Sequence, residues 1–203
     1  GEIPGVYQSA TSWCDVDNDN DLDLVVTGNS STTDVPQPVV CFYENQDGIL
    51  VLCDMNLIPV SKGSLSWIDI DKDGFKDLII TGDASTSSTP QPVSVLYHNE
   101  QGILMEMDTS LIGVYESASI VFDYNYDGFD DILISGNCGN NIAPLAVTKL
   151  YKNSNGILEE IPTTLPNVRL PSLDWADYDH DGDPDLIVAG YSNALGQSIT
   201  AIY

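Results

Sequence analysis

Asp15-Val16-Asp17-Asn18-Asp19-Asn20-Asp21-Leu22-Asp23 returns three times, each time 54 residues further on. The later copies read Asp69-Ile70-Asp71-Lys72-Asp73-Gly74-Phe75-Lys76-Asp77, Asp123-Tyr124-Asn125-Tyr126-Asp127-Gly128-Phe129-Asp130-Asp131 and Asp177-Tyr178-Asp179-His180-Asp181-Gly182-Asp183-Pro184-Asp185. A fixed period of this length is the mark of a solenoid, propeller or array. Side-chain oxygens at loop positions 1, 3, 5 and 9 form a shell for a hard cation.

The repetition extends outward from the loops. Trp13, Trp67 and Trp175 stand two residues before their loops, with Val121 in the third copy. Gly28, Gly82, Gly136 and Gly190 lie thirteen residues after each opening Asp. Between loop and glycine run short, β-branched apolar segments, which read as buried strands. A polar stretch follows, then a run ending in Tyr43, Tyr97, Tyr151 or Tyr203, an Asn-plus-Gly turn and an Ile-Leu strand. Each unit is thus four short strands, and no segment has sustained helical periodicity. The fold class expected is all-β: four tandem propeller blades at approximately 1–54, 55–108, 109–162 and 163–203. One blade cannot bury both faces, so blades must stack, with the tryptophans expected in the contacts. The fourth unit stops before its turn and outer strand, which points to part of a longer, larger propeller or to a module that joins neighbours. A closed four-bladed ring fits less well, because an exposed strand edge invites pairing.

Calcium takes 6–8 oxygens at about 2.3–2.6 Å. The expected ligands are Asp15, Asp17, Asp19 and Asp23; Asp69, Asp71, Asp73 and Asp77; Asp123, Asn125, Asp127 and Asp131; and Asp177, Asp179, Asp181 and Asp185. The backbone carbonyls of Asp21, Phe75, Phe129 and Asp183 are expected to add one oxygen each. Glycine at position 6 permits the sharp bend, and Asn20 tolerates the same backbone in the first loop. Up to four Ca2+ ions are expected, the third site being weakest because Asn125 removes a charge. An EF-hand is excluded: its position 12 needs Glu, whereas Val26, Ile80, Ile134 and Val188 stand there.

The chain of 203 residues has a formal charge of −25, and loop positions 1, 3, 5 and 9 alone supply fifteen of its 31 acidic side chains. With six Lys and Arg, nucleic acid is excluded as a partner. No apolar run reaches the ~20 residues of a membrane span, so no membrane insertion is expected. Cys41 and Cys53 flank a turn and admit a disulfide across a hairpin; buried free thiols are the alternative. Asn29-Ser30-Ser31 is a glycosylation sequon. Together these features favour an extracellular or cell-surface location.

The pattern Asp-x-Asp-x-Asp-Gly-x-x-Asp-Leu after an aromatic strand, with Gly thirteen residues beyond the first Asp, resembles the FG-GAP/VCBS repeat. The resemblance covers essentially the whole chain. It implies an integrin-α-like calcium-binding β-propeller, usually seven-bladed, with one ion between the first two strands of each blade. It further implies binding of a protein or glycan ligand, most often in adhesion.

No nucleophile motif or phosphate loop is present, and His98 and His180, read as lying in a turn and inside a loop, do not recur. The expectation is a non-catalytic, calcium-stabilised adhesion or assembly module whose partners include a protein or glycan, further copies of itself or the rest of a longer chain. A glycan-binding lectin is one alternative, with Tyr7 and Tyr115 as the aromatics to inspect. A non-catalytic domain of a larger secreted enzyme is another. Partner contacts are expected on the Ser/Thr-rich stretches and blade connections.

Overall fold

The computed structural model describes residues 3–203. Within them the chain forms four antiparallel sheets and no helix. The first holds β1 (Tyr7–Cys14), β2 (Asp23–Asn29), β3 (Pro38–Gln46) and β4 (Ile49–Cys53). The second holds β5 (Leu65–Ile68), β6 (Asp77–Asp83), β7 (Pro92–Glu100) and β8 (Ile103–Glu106). The third holds β9 (Tyr115–Phe122), β10 (Asp131–Asn137), β11 (Ala146–Ser154) and β12 (Ile157–Ile161). The fourth has three strands, β13 (Arg169–Ala176), β14 (Asp185–Ser192) and β15 (Gln197–Ile202). Strand order in every sheet is sequence order, so each is a meander of the kind expected for a blade.

The registers repeat with the sequence. Each acidic loop closes a hairpin whose last ladder pair is Cys14 with Asp23, Ile68 with Asp77, Phe122 with Asp131, or Ala176 with Asp185. The third and fourth strands are joined by two residues of positive φ: Asp47-Gly48, Gln101-Gly102 and Asn155-Gly156. Such loops match the right-handed twist of the strands they join. Asn45, Asn99 and Asn153 each accept the glycine N–H through Oδ1, at 2.9, 2.7 and 2.9 Å.

The second strands are the centre of each sheet. In the first three sheets every residue of β2, β6 and β10 is buried. Three apolar clusters sit between consecutive sheets: Val25 and Phe42 against Leu78 and Ile80, Ile79 and Leu96 against Ile132 and Ile134, and Leu133 and Leu150 against Leu186 and Val188. Full burial of such side chains is worth about 1.5–3 kcal/mol each. Gly82 explains itself here: a Cβ would lie 2.8 Å from Val60 Cβ, and the other three repeat glycines meet Val6, Val114 and Val168 in the same way. The glycines let the connecting segments lie directly on the central strands. The innermost strands converge, since Gln8, Lys62, Glu116 and Leu170 line one common depression. Among the described residues no core cluster joins the first sheet to the fourth, and no closed propeller is seen.

Three expectations are corrected. Trp13 and Trp175 are 54% and 44% exposed. The fully buried aromatics of the sheets are Tyr43, Tyr97, Tyr115 and Tyr151. Trp67 and Trp175 still contact the preceding sheet as expected: Trp67 packs on the first apolar cluster and its Nε1 donates to Ser12 Oγ at 3.0 Å, while Trp175 stacks on Phe122 and its Nε1 donates to the Val121 carbonyl at 3.2 Å. Trp13 has no such sheet before it among the described residues. The Cys41–Cys53 disulfide is also corrected. The ladder sets Phe42, not Cys41, opposite Cys53. Neighbouring residues of a strand face opposite sides, so the two thiols point away from each other. All four cysteines are free. Finally, Asn29 is 4% exposed. Its Oδ1 accepts the N–H groups of Ser31 and Gln37 and its Nδ2 donates to Tyr7, which leaves no room for a glycan. Asp83 and Asn137 hold the equivalent loops identically, so the sequon reads as a loop anchor.

Candidate metal loops

Every acidic loop is wound by its own side chains. The position 3 oxygen accepts the position 5 N–H: Asp17 from Asp19, Asp71 from Asp73, Asn125 from Asp127 and Asp179 from Asp181, at 2.9–3.3 Å. The position 5 carboxylate accepts the position 7 N–H in turn: Asp19, Asp73, Asp127 and Asp181 from Asp21, Phe75, Phe129 and Asp183, at 2.8–3.0 Å. Position 6 has the left-handed backbone expected of it, with φ of 77° at Asn20 and 93°, 90° and 97° at Gly74, Gly128 and Gly182.

Position 9 is a clamp as well as a candidate ligand. Asp23, Asp77, Asp131 and Asp185 accept the position 2 N–H of their own loop, from Val16, Ile70, Tyr124 and Tyr178, at 2.8–3.2 Å. The second oxygen accepts from Asn45, Asn99 or Asn153 on the third strand, at 2.7–2.9 Å. Asp23, Asp77 and Asp131 are buried, and burial pushes their carboxyls above the usual range against the lowering effect of these hydrogen bonds.

The carboxylates converge, though not as complete quartets. Oxygens of Asp15, Asp17 and Asp19 lie within 4.8 Å of one another; so do those of Asp69, Asp71 and Asp77, and of Asp177, Asp179 and Asp185. Asp69 Oδ1 is buried without a hydrogen-bond partner, whereas Asp15 and Asp123 spend their oxygens on N–H groups of positions 5 and 6. An orphaned carboxylate oxygen inside an acidic trio suits a cation. The third loop brings no such trio together among the described residues. Lys152 stands there instead, its Nζ 3.0 Å from Asp127 Oδ2. The Phe129 N–H and that ammonium hold the Asp127 carboxyl below its ordinary range.

Position 4 is a connector in the first three loops. Asn18, Lys72, Tyr126 and His180 all have left-handed backbone, with φ of 57–62°. That conformation throws the side chain sideways onto the next loop. Asn18 Nδ2 donates to the Gly74 carbonyl at 3.1 Å, and the Tyr126 hydroxyl donates to the Gly182 carbonyl. Lys72 Nζ lies 4.6 Å from the centre of the Phe129 ring. Residue type varies at this position, so only the backbone reveals it. The opposite link runs backward: Nδ2 of Asn99 and Asn153 donates to the carbonyls of Val16 and Ile70 in the preceding loop. Loops and Asn-Gly turns therefore share one rim.

His98 is likewise relocated, since it lies within β7 and not in a turn. Its Nδ1 is 3.0 Å from Asp77 Oδ1 and its Nε2 3.9 Å from Asp71 Oδ2. The aromatics inspected for sugar binding form no pattern: Tyr7 is 47% exposed but Tyr115 is buried, accepting from Asn137. Glu160 pairs with Lys149.

Residues 123–188, from the third loop through the fourth, match the family model described as an FG-GAP-like repeat. A search of curated proteins gives no match. Among solved structures, the V. cholerae biofilm matrix protein Bap1 is similar over 95% of this chain, with a TM-score of 0.51 and 21% identity. The chain spans about a quarter (26%) of that structure, and at this identity the likeness is one of fold. The FG-GAP-like repeat anticipated from the loops is thus present, and the sheets are blade-like.

Proposed function

We propose that the acidic loops bind calcium and that the protein is a non-catalytic, extracellular adhesion or assembly module. The observation that carries this reading is the convergence of carboxylates in the first, second and fourth loops, where no Lys or Arg pairs with them among the described residues. Three or four acids held together by a tight turn repel one another, and a divalent ion relieves that repulsion. The carbonyls of Asp21, Phe75, Phe129 and Asp183, with the side chains at positions 1, 3, 5 and 9, would supply the oxygens calcium needs. Because position 9 also clamps the loop to the third strand, an ion held there would brace two strands of the sheet. The FG-GAP-like match and the biofilm-matrix neighbour support the adhesive half of the proposal.

Binding only the folded state stabilises it by linkage, by about 2.7 kcal/mol per site at a hundredfold excess over Kd. Calorimetric melting with added calcium and with EDTA tests this. The expected result is a large fall in Tm on chelation, reversed by calcium; superimposable curves would reject the proposal.

A further inference from the structure

One position on the third strand bears on each loop, and it carries different chemistry in each sheet. The residue after the buried tyrosine is Glu44 in the first sheet, His98 in the second and Lys152 in the third. Glu44 lines the same cleft as Asp17 and Asp23. Lys152 brings an ammonium to Asp127. His98 brings an imidazole to Asp71, Asp73 and Asp77.

We propose that the second loop is a transition-metal site, taking a zinc-class ion through Asp71, Asp73 and Nε2 of His98. It rests on the reading that these loops hold cations and gives one of them a different selectivity. One oxygen of Asp71, one of Asp73 and a ring nitrogen of His98 lie within 4.8 Å of one another. Two ligands each about 2.0–2.2 Å from one ion can be at most about 4.4 Å apart. The 3.9 Å between Nε2 and Asp71 Oδ2 is within that span and too long for a hydrogen bond.

The ring is oriented for the task. Asp77 is fully buried, its two oxygens take the N–H groups of Ile70 and Asn99, and Oδ1 also lies 3.0 Å from Nδ1 of His98. With Nδ1 given to Asp77, Nε2 is the ring nitrogen left facing Asp71, 3.9 Å away, and it is the one free to bind an ion. A carboxylate behind a metal-binding histidine is the usual support of such ligands. The unpartnered Asp69 Oδ1 is a further donor in the same loop. Imidazole nitrogen suits zinc-class ions, whereas calcium takes oxygens. The His98 side chain is 23% exposed, so the site opens to solvent.

Zinc chloride titrated by calorimetry into the metal-free and calcium-loaded chain tests the assignment. The wild type and His180→Gln are expected to bind one zinc ion. His98→Gln should bind it at least about tenfold more weakly while keeping its calcium stoichiometry. Long-range 1H–15N spectra of the wild type give a second readout, free of any folding defect in the variant: zinc should shift Nε2 of His98. Equal zinc affinity in His98→Gln, or an unmoved Nε2 resonance, overturns the proposal, leaving His98 as a structural partner of Asp77. Loss of calcium binding with retained zinc binding would instead reject the calcium reading alone.

Discussion

The side-chain amide of Asn99 reaches across the boundary between the first two sheets and donates to the carbonyl of Val16 at 2.7 Å. The same amide donates to the Lys76 carbonyl and accepts the Gly102 N–H, so every polar atom of this buried side chain is used. Asn99→Ala leaves those groups unpaired and should cost about 1–3 kcal/mol in urea unfolding of the metal-free chain. Asn45→Ala removes only the bond to Gly48 and should cost less. Equal losses would mean that the bond across the boundary adds nothing.

Positions 3 and 9 of a loop should separate under chelation. Asp77 holds three donors in a buried site, so Asp77→Ala should lose at least about 1.5–3 kcal/mol even in EDTA. Asp71 is partly exposed, and Asp71→Asn should melt like the wild type in EDTA yet gain less from calcium. A pair of variants indistinguishable in both conditions would undo this division of labour.

Lys152 supplies the third loop with a built-in cation. Lys152→Gln removes a competitor and should tighten calcium at that loop, read as a larger calcium-induced rise in Tm than the wild type shows. A smaller rise would show that the lysine assists rather than competes.

No cysteine should be oxidised. Intact mass should be unchanged by reductant, and four thiols should titrate once the chain is unfolded. In the folded chain Cys14 should react slowly at pH 8, because burial pushes its thiol up to about 11. A two-dalton mass difference between oxidised and reduced samples would restore the disulfide.

The period of the loops carried most of the architecture, because Asp at positions 1 and 9 and Gly at position 6 answer to local demands of one turn. The glycine thirteen residues on was visible as a mark, but its cause, the approach of Val60 and its counterparts, needed the fold. Of the tryptophans expected in the contacts only Trp13 departs, because such a contact depends on whether another sheet lies alongside, which no residue encodes. The thiol pairing failed by one step of register. The sequon was legible as an anchor from Asn29, Asp83 and Asn137 sharing one repeat position. His98 hid for the opposite reason: Glu44, His98 and Lys152 share a position but no chemistry, and only the loop beneath them gives the variation meaning.

Each boundary between sheets is closed by its own apolar cluster and its own side-chain links, and none spans more than two sheets. Tension on the two ends should therefore peel the row one plate at a time, and single-molecule pulling should record a sawtooth instead of one rupture. A strand of matter built this way yields in instalments, dissipating work at each joint while the remainder keeps its grip.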